Sequence, residues 1–268
     1  MSIIKRICKK IIKIMSRFYL TFKQLIRNDL PVFLSYHFNR RKMTQNLSEQ
    51  GVEKAKPYRY KSWHFKYEYY LGQLKGKRVF IKFNKHGRLI EHEYDNFMFL
   101  RNNSSYLAEH LPNVYMTRDY RGGKYLVEDF LDIQPINVVE YSEVLYRDVF
   151  EQLKNILTEL QRLKFMHLDI NSENVYIGDN NKVILIDLGF SNINDDSLDI
   201  FYSKHFRSLV LQHLNLDTRL DIAVIDDAYS MLMVAKRIEP ELINKHHEDW
   251  KSMIELSNKL VFDGRQYI

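Results

Sequence analysis

Cysteine is nearly absent: Cys8 is the only one in 268 residues. No internal disulfide can form, no cysteine-rich zinc site can be built, and the chain fits a reducing compartment. Glycine and proline are scarce too, at nine and five residues, which leaves little material for flexible linkers and excludes collagen-like or low-complexity architectures. No apolar run approaches the ~18 residues that a spanning helix needs, so the sequence predicts no membrane-crossing segment. What is abundant is core-forming material. The chain is 45% hydrophobic, with 16 Phe and 18 Tyr, enough for one large domain or two smaller lobes.

The net charge of +6 is uneven. Residues 1–42 hold 11 Lys or Arg against one acid, Asp29, for a local charge of +10, and the rest carries 29 basic against 33 acidic residues, or −4. The basic segment also has helical periodicity. Ile3, Ile4, Ile7, Ile11, Ile14, Met15, Phe18, Phe22, Leu25 and Ile26 recur at three- and four-residue steps, with Lys5, Lys9, Lys10, Lys13, Arg17 and Lys23 on the other face. Lys9, Lys10 and Lys13 interrupt the apolar run and no small-residue cleavage site follows, so a secretory signal is not expected. Two readings stay open for residues 3–27: a helix lying on an anionic membrane surface, or one whose stripe packs on the body. Nucleic acid is not an expected partner, since no reader motif or aromatic stacking platform accompanies the charge.

The body begins after Pro57. Tyr58–Tyr70 alternates aromatic and polar groups as a half-buried strand does, Gly72 and Gly76 punctuate a turn, and Lys77–Phe83 reads as a second strand. A short helix follows over Glu91–Leu100. Val114–Thr117 and Lys124–Glu128 form a hairpin around Arg121-Gly122-Gly123. From Tyr141 the pattern is helical, with Val144, Val149, Phe150, Leu153, Ile156, Leu157, Leu160 and Leu163 on one stripe ending near Lys164. Asn174–Ile177 and Val183–Ile186 are short strands joined by Gly178-Asp179-Asn180-Asn181, and helices run to the end. The expected class is α+β in two lobes: a small strand-rich lobe at 58–132 and a larger helical lobe at 133–268, preceded by a basic amphipathic arm at 1–50. The cleft between lobes is the natural ligand site.

Asp169 and Asp187 stand beside apolar strand residues, where an unneeded carboxylate is costly to bury, which points to a metal or substrate role. Taken singly, Lys82 reads equally as a snorkelling edge lysine, and Glu93 as a solvated first-turn residue. His167 reads as a buried scaffold histidine bonded to backbone rather than as a proton carrier. Together the motifs say more. Met166-His167-Leu168-Asp169-Ile170-Asn171-Ser172-Glu173-Asn174, followed by Ile186-Asp187-Leu188-Gly189, resembles the catalytic loop and Asp-Phe-Gly segment of the protein-kinase-like superfamily. Val79-Phe80-Ile81-Lys82 looks like its Val-Ala-Ile-Lys strand, and Asp226-Asp227-Ala228-Tyr229-Ser230 like the Asp-x-Tyr/Trp-Ser start of a large-lobe helix. The motifs occur in the family's order and cover about residues 60–235.

The resemblance implies a phosphotransferase that uses ATP and Mg2+. It gives Asp169 the attacking hydroxyl, Asn174 and Asp187 the metal, and Lys82 the ATP phosphates. Glu93, with Glu91 as the alternative, would hold that lysine, and backbone groups around Glu128, Asp129 and Phe130 would meet adenine. Asp227 would brace the catalytic loop. Several departures narrow the expectation. No Gly-x-Gly-x-x-Gly is present, and Tyr70-Leu71-Gly72-Gln73-Leu74 offers one glycine between the first strands, so the phosphate lid is expected to be different or shorter. Phe80 replaces a small residue over adenine. Leu168 replaces the Arg that answers a phosphorylated loop. Asn171 and Ser172 replace the Lys and Pro of peptide-directed kinases. These departures are similar to those of the bacterial kinases of lipopolysaccharide core sugars, heptose or Kdo. The resemblance thus implies a lipid-linked glycan acceptor and a cytoplasmic protein peripheral on the inner face of the inner membrane, which would give the basic arm a purpose. A protein serine/threonine kinase and a catalytically silent pseudokinase are the rival readings.

Overall fold

The computed structural model describes residues 30–58, 67–85, 87–193 and 227–257. The basic stripe at 3–27, and the part of the expected first strand at 59–66, lie outside them. The chain divides into two compact units, one made of Met1–Gly87 and Tyr115–Phe130, the other of Arg88–Val114 and Leu131–Ile268.

The first unit opens with helix α1, Leu30–Glu49. Pro31 stands in its first turn, where a missing N–H costs nothing, and Gly51 closes it at φ 84°, the left-handed conformation of a helix C-cap. Met43 and Leu47, one turn apart, are fully buried against the sheet. Met43 and Leu47 therefore belong to this unit's core.

Five strands follow: β1 Val52–Pro57, β2 Tyr67–Leu74, β3 Lys77–Asn84, β4 Val114–Tyr120 and β5 Gly123–Asp129, in the order β1-β2-β3-β5-β4. Strand β1 was not expected from the sequence. Its alternation is broken by a bulge between Glu53 and Lys56, which hides the period of two. The β2–β3 turn holds Lys75 at φ 51° and Gly76 at 79°, two consecutive left-handed residues, as a tight two-residue hairpin requires. Gly72 lies within β2, not in a turn. A Cβ there would come within 2.5 Å of Val52 Cγ1, so this glycine serves the close approach of β1 to β2.

Val79, Ile81 and Phe83 of β3, Tyr70 and Leu74 of β2, and Tyr125 and Val127 of β5 form the core with Met43, Leu47 and Val52. Period-two alternation then puts Phe80 and Lys82 on the opposite face. Phe80 stacks there on Tyr69 at 5.4 Å and meets Tyr58 edge-on at 5.9 Å.

The second unit contains α2 Arg88–Asn103, α3 Ser105–Glu109, β6 Gln134–Pro135, α4 Glu143–Arg162, β7 Phe165–Met166, β8 Val175–Ile177, β9 Val183–Leu185 and β10 Asn192–Ile193, then α5 Asp227–Ile238, α6 Leu242–Lys245 and α7 His247–Ser257. Ser142 caps α4 by accepting the Leu145 N–H at 3.2 Å. The helix buries Tyr146, Val149, Phe150, Leu153, Ile156, Leu157 and Leu160. Val144, expected on that stripe, is 79% exposed, because it falls in the first turn, a step away from the buried face.

Strand pairing positions the site. β8 pairs with β9, β7 with β10, and β6 with β8. The loop between β7 and β8 and the one between β9 and β10 thus leave adjoining strand ends, and the Ile186 N–H donates to Asn174 O at 3.0 Å.

Candidate functional site

In the second unit the 167–174 loop is held from three sides. The Asp227 carboxylate accepts the backbone N–H of His167 at 2.6 Å and of Leu168 at 2.9 Å. At the other end of the same helix, Arg237 donates to Ser172 Oγ at 2.8 Å. Inside the loop, the His167 ring donates from Nε2 to Ile186 O at 3.0 Å and receives the Asp169 N–H on Nδ1 at 3.3 Å. Burial drives His167 down to about 4, so it stands neutral at pH 7, a scaffold group and not a carrier of protons.

Asp169 is gripped by two amides. Asn174 Nδ2 donates to Oδ2 at 2.8 Å and to the Asp169 backbone O at 2.9 Å, while Asn171 Nδ2 donates to Oδ1 and to that same backbone O, each at 3.1 Å. Asn171 Oδ1 accepts the Glu173 N–H at 2.8 Å, closing an Asx turn. Burial, and after it the charge of Asp187, push Asp169 up to about 7, against the opposing pull of the two amides. Asp187 itself sits at φ 63°, a left-handed conformation that swings the chain out of β9.

The donor set fits a hard divalent cation. With its NH2 committed to Asp169, Asn174 has its amide oxygen left for a metal, and the mutual repulsion of Asp169 and Asp187 is what a cation would relieve. Among the described residues no three His, Cys, Asp or Glu side chains form a metal cage. Asn174 and Asp187 would hold such an ion only together with substrate oxygens and water.

Helix α2 fastens to the segment after Asp187. Asn96 Nδ2 donates to Leu188 O at 3.0 Å and to Ser191 O at 3.1 Å, and His92 donates to Ser191 O as well. On the same helix Glu93 is fully buried, in place of the solvated first-turn position it could have had, whereas Glu91 is exposed.

The first unit carries the other half of the predicted set. Lys82 is on β3, which lies between β2 and β5, so it is no edge lysine. Its Nζ is 3.3 Å from Glu128 Oε1, with the two side chains 9% and 7% exposed. Glu128, whose backbone was expected near adenine, offers its carboxylate to the lysine. The Phe130 N–H donates to Arg78 O at 3.2 Å. Hydrogen-bonded pairs recur every second residue, so the Phe80↔Glu128 pair is also of that kind, and both backbones are committed to the sheet. The Arg78 guanidinium covers the Phe130 ring at 4.0 Å. The N–H groups of Glu128 and Phe130 are thus taken up within the sheet.

Sequence reasoning missed the grip of Asn171 on Asp169 and the Asn96 anchor. A signal existed for the first: an Asn side chain in a loop commonly bonds to groups one or two residues away.

No protein-family model and no curated protein matches this sequence. Solved structures do. The chain is similar to the Cydia pomonella granulovirus kinase PK-1, with TM-score 0.50 and 19% identity over 80% of this chain and 83% of that one. It is also similar to the BubR1 kinase domain, with TM-score 0.50 and 16% identity over 70% and 60%. The fold is protein-kinase-like: a five-stranded antiparallel sheet in the N-terminal part, then helices.

Proposed function

We propose that the protein is a phosphotransferase that moves the γ-phosphoryl group of ATP to a hydroxyl acceptor. The observation that carries the reading is the Asp169 carboxylate, held through both oxygens by Asn171 and Asn174 in a loop braced by Asp227. A group raised to about 7 is matched to general-base work near neutral pH. In the proposed step the acceptor hydroxyl gives its proton to Asp169 as its oxygen bonds the γ-phosphorus, and the bond from phosphorus to the bridging oxygen of ADP breaks in line. In this reading Lys82 steadies the phosphates. Magnesium, held by Asn174 and Asp187, would neutralise phosphate charge when bound.

For the acceptor we favour a sugar hydroxyl of a lipopolysaccharide core or another lipid-linked surface glycan. Supporting this is Asn171, which stands where peptide-directed kinases carry lysine and whose amide is spent on Asp169. The basic segment 3–27 would bring the enzyme to an anionic membrane surface carrying that acceptor, on the cytoplasmic side. The test is radiolabelled ATP with magnesium, offered lipid-linked oligosaccharide or a generic basic protein. Label in the glycan, lost in D169N, supports the reading. Label in the protein alone makes the enzyme a protein kinase, and label in neither leaves a binding module. Unchanged liposome binding after deletion of residues 3–27 would overturn the membrane proposal.

A further inference from the structure

We propose that Glu128 is a positioning residue for Lys82, fixing the ammonium from within the sheet so that it can meet the phosphates of a nucleotide. The inference rests on the phosphotransferase reading and deepens it. Lys82 pairs with Leu126 and Phe80 with Glu128, so Lys82 and Glu128 are diagonal neighbours on one face of adjoining strands, a spacing that long side chains bridge. Their charged atoms are 3.3 Å apart and both side chains are more than nine-tenths buried. β3 and β5 are both interior to the five-strand order, so the pair is mounted on backbone that is laddered on either side.

Burying an ion pair brings no sure gain in stability, and well-packed apolar residues often do as well. The presence of the carboxylate is better explained by what it does to the lysine. It keeps the ammonium charged in a site largely closed to water, and it limits a side chain that otherwise samples many rotamers. Held this way, Lys82 takes its alignment from the sheet that carries it.

The experiment measures MgATP affinity on the full chain for wild type, E128Q, K82M and the K82M/E128Q pair, with thermal melts alongside. Loss of a charge-assisted contact is expected to weaken ATP binding about tenfold in E128Q. Because Glu128 acts through Lys82, the double variant should bind no worse than K82M alone. ATP affinity of E128Q equal to wild type, or losses that multiply in the double variant, would overturn the proposal. E128D keeps the charge and shortens the reach by one methylene, and it supplies a second readout should E128Q fold poorly. Labelling of Lys82 by an acyl-phosphate nucleotide probe should slow in E128D, and an unchanged rate counts against the idea. Wild type that binds MgATP yet transfers no phosphoryl group to any acceptor sinks the phosphotransferase reading alone, and Glu128 is then judged on the binding cycle. Wild type that binds no MgATP sinks both.

Discussion

Asp227 reaches back sixty residues to accept the backbone N–H of His167 at 2.6 Å, and its other oxygen takes the next N–H, that of Leu168, at 2.9 Å. Leu168 is held at φ 66°, a left-handed conformation uncommon for a bulky residue. One carboxylate thus satisfies two buried donors and stabilises the strained turn that aims Asp169.

Replacing Asp227 with alanine should therefore cost stability and activity together. Two buried donors left unsatisfied are expected to lower stability by roughly 2–4 kcal/mol. Hydrogen exchange at the His167 and Leu168 amides should speed up before the rest of the unit responds. A melt and exchange pattern like wild type would remove Asp227 from this role.

The pH dependence of stability in metal-free protein follows from two opposing groups. Asp169 is raised to about 7, so its favourable contribution is present below its unfolded value near 4 and is lost as pH rises through 7. His167 is lowered to about 4, so its contribution is present above its unfolded value near 6.5 and is lost as pH falls through 4. Between about pH 4 and 6.5 the two slopes oppose. D169N should be more stable than wild type at pH 8 by on the order of 2 kcal/mol, with the difference vanishing near pH 4. Chemical denaturation at several pH values, with chelator present, checks this; a pH-independent difference contradicts it.

Asn171→Ala removes one of the two amides on the Asp169 carboxylate but leaves the Asn174 contact. The expected result is a fall in kcat of about tenfold with the KM for ATP little changed, the pattern of lost alignment at the reacting hydroxyl. A raised KM at constant kcat would place Asn171 in ground-state nucleotide binding instead.

Gly123→Ala should destabilise the first unit. An added Cβ would collide with Asn84 O and stand 2.8 Å from Lys85 Cα and 2.9 Å from Phe83 Cε2. Backbone must move to admit it, a strain of about 1–3 kcal/mol. A melting temperature equal to wild type would show that the β3 and β5 ends separate freely.

The α+β class, the β3 strand, the α4 helix and the order of the motifs were legible because each rests on local signals, a period of two or of 3.6, or turn residues. Strand β1 was hidden by its bulge, and the C-terminal end of α1 could not be assigned to the core, since a stripe alone does not name its partner. The roles proposed for Asp169, Asn174 and Asp187 came from the resemblance of their motifs to those of a known superfamily. Those of Glu128 and Asn96 did not, because their partners, Lys82 and the Leu188 and Ser191 carbonyls, are far off in sequence.

By itself the chain's order of residues determined which side chains were available for phosphate and metal chemistry, and in which loops they would lie. Pairing of β7 with β10 and β8 with β9 decided that Asp169, Asn174 and Asp187 would share one neighbourhood. Register between β3 and β5 decided that Glu128 would turn its carboxylate to Lys82. Register is a property of two strands at once: a shift of one residue would send every side chain to the other face, and no single segment holds that information.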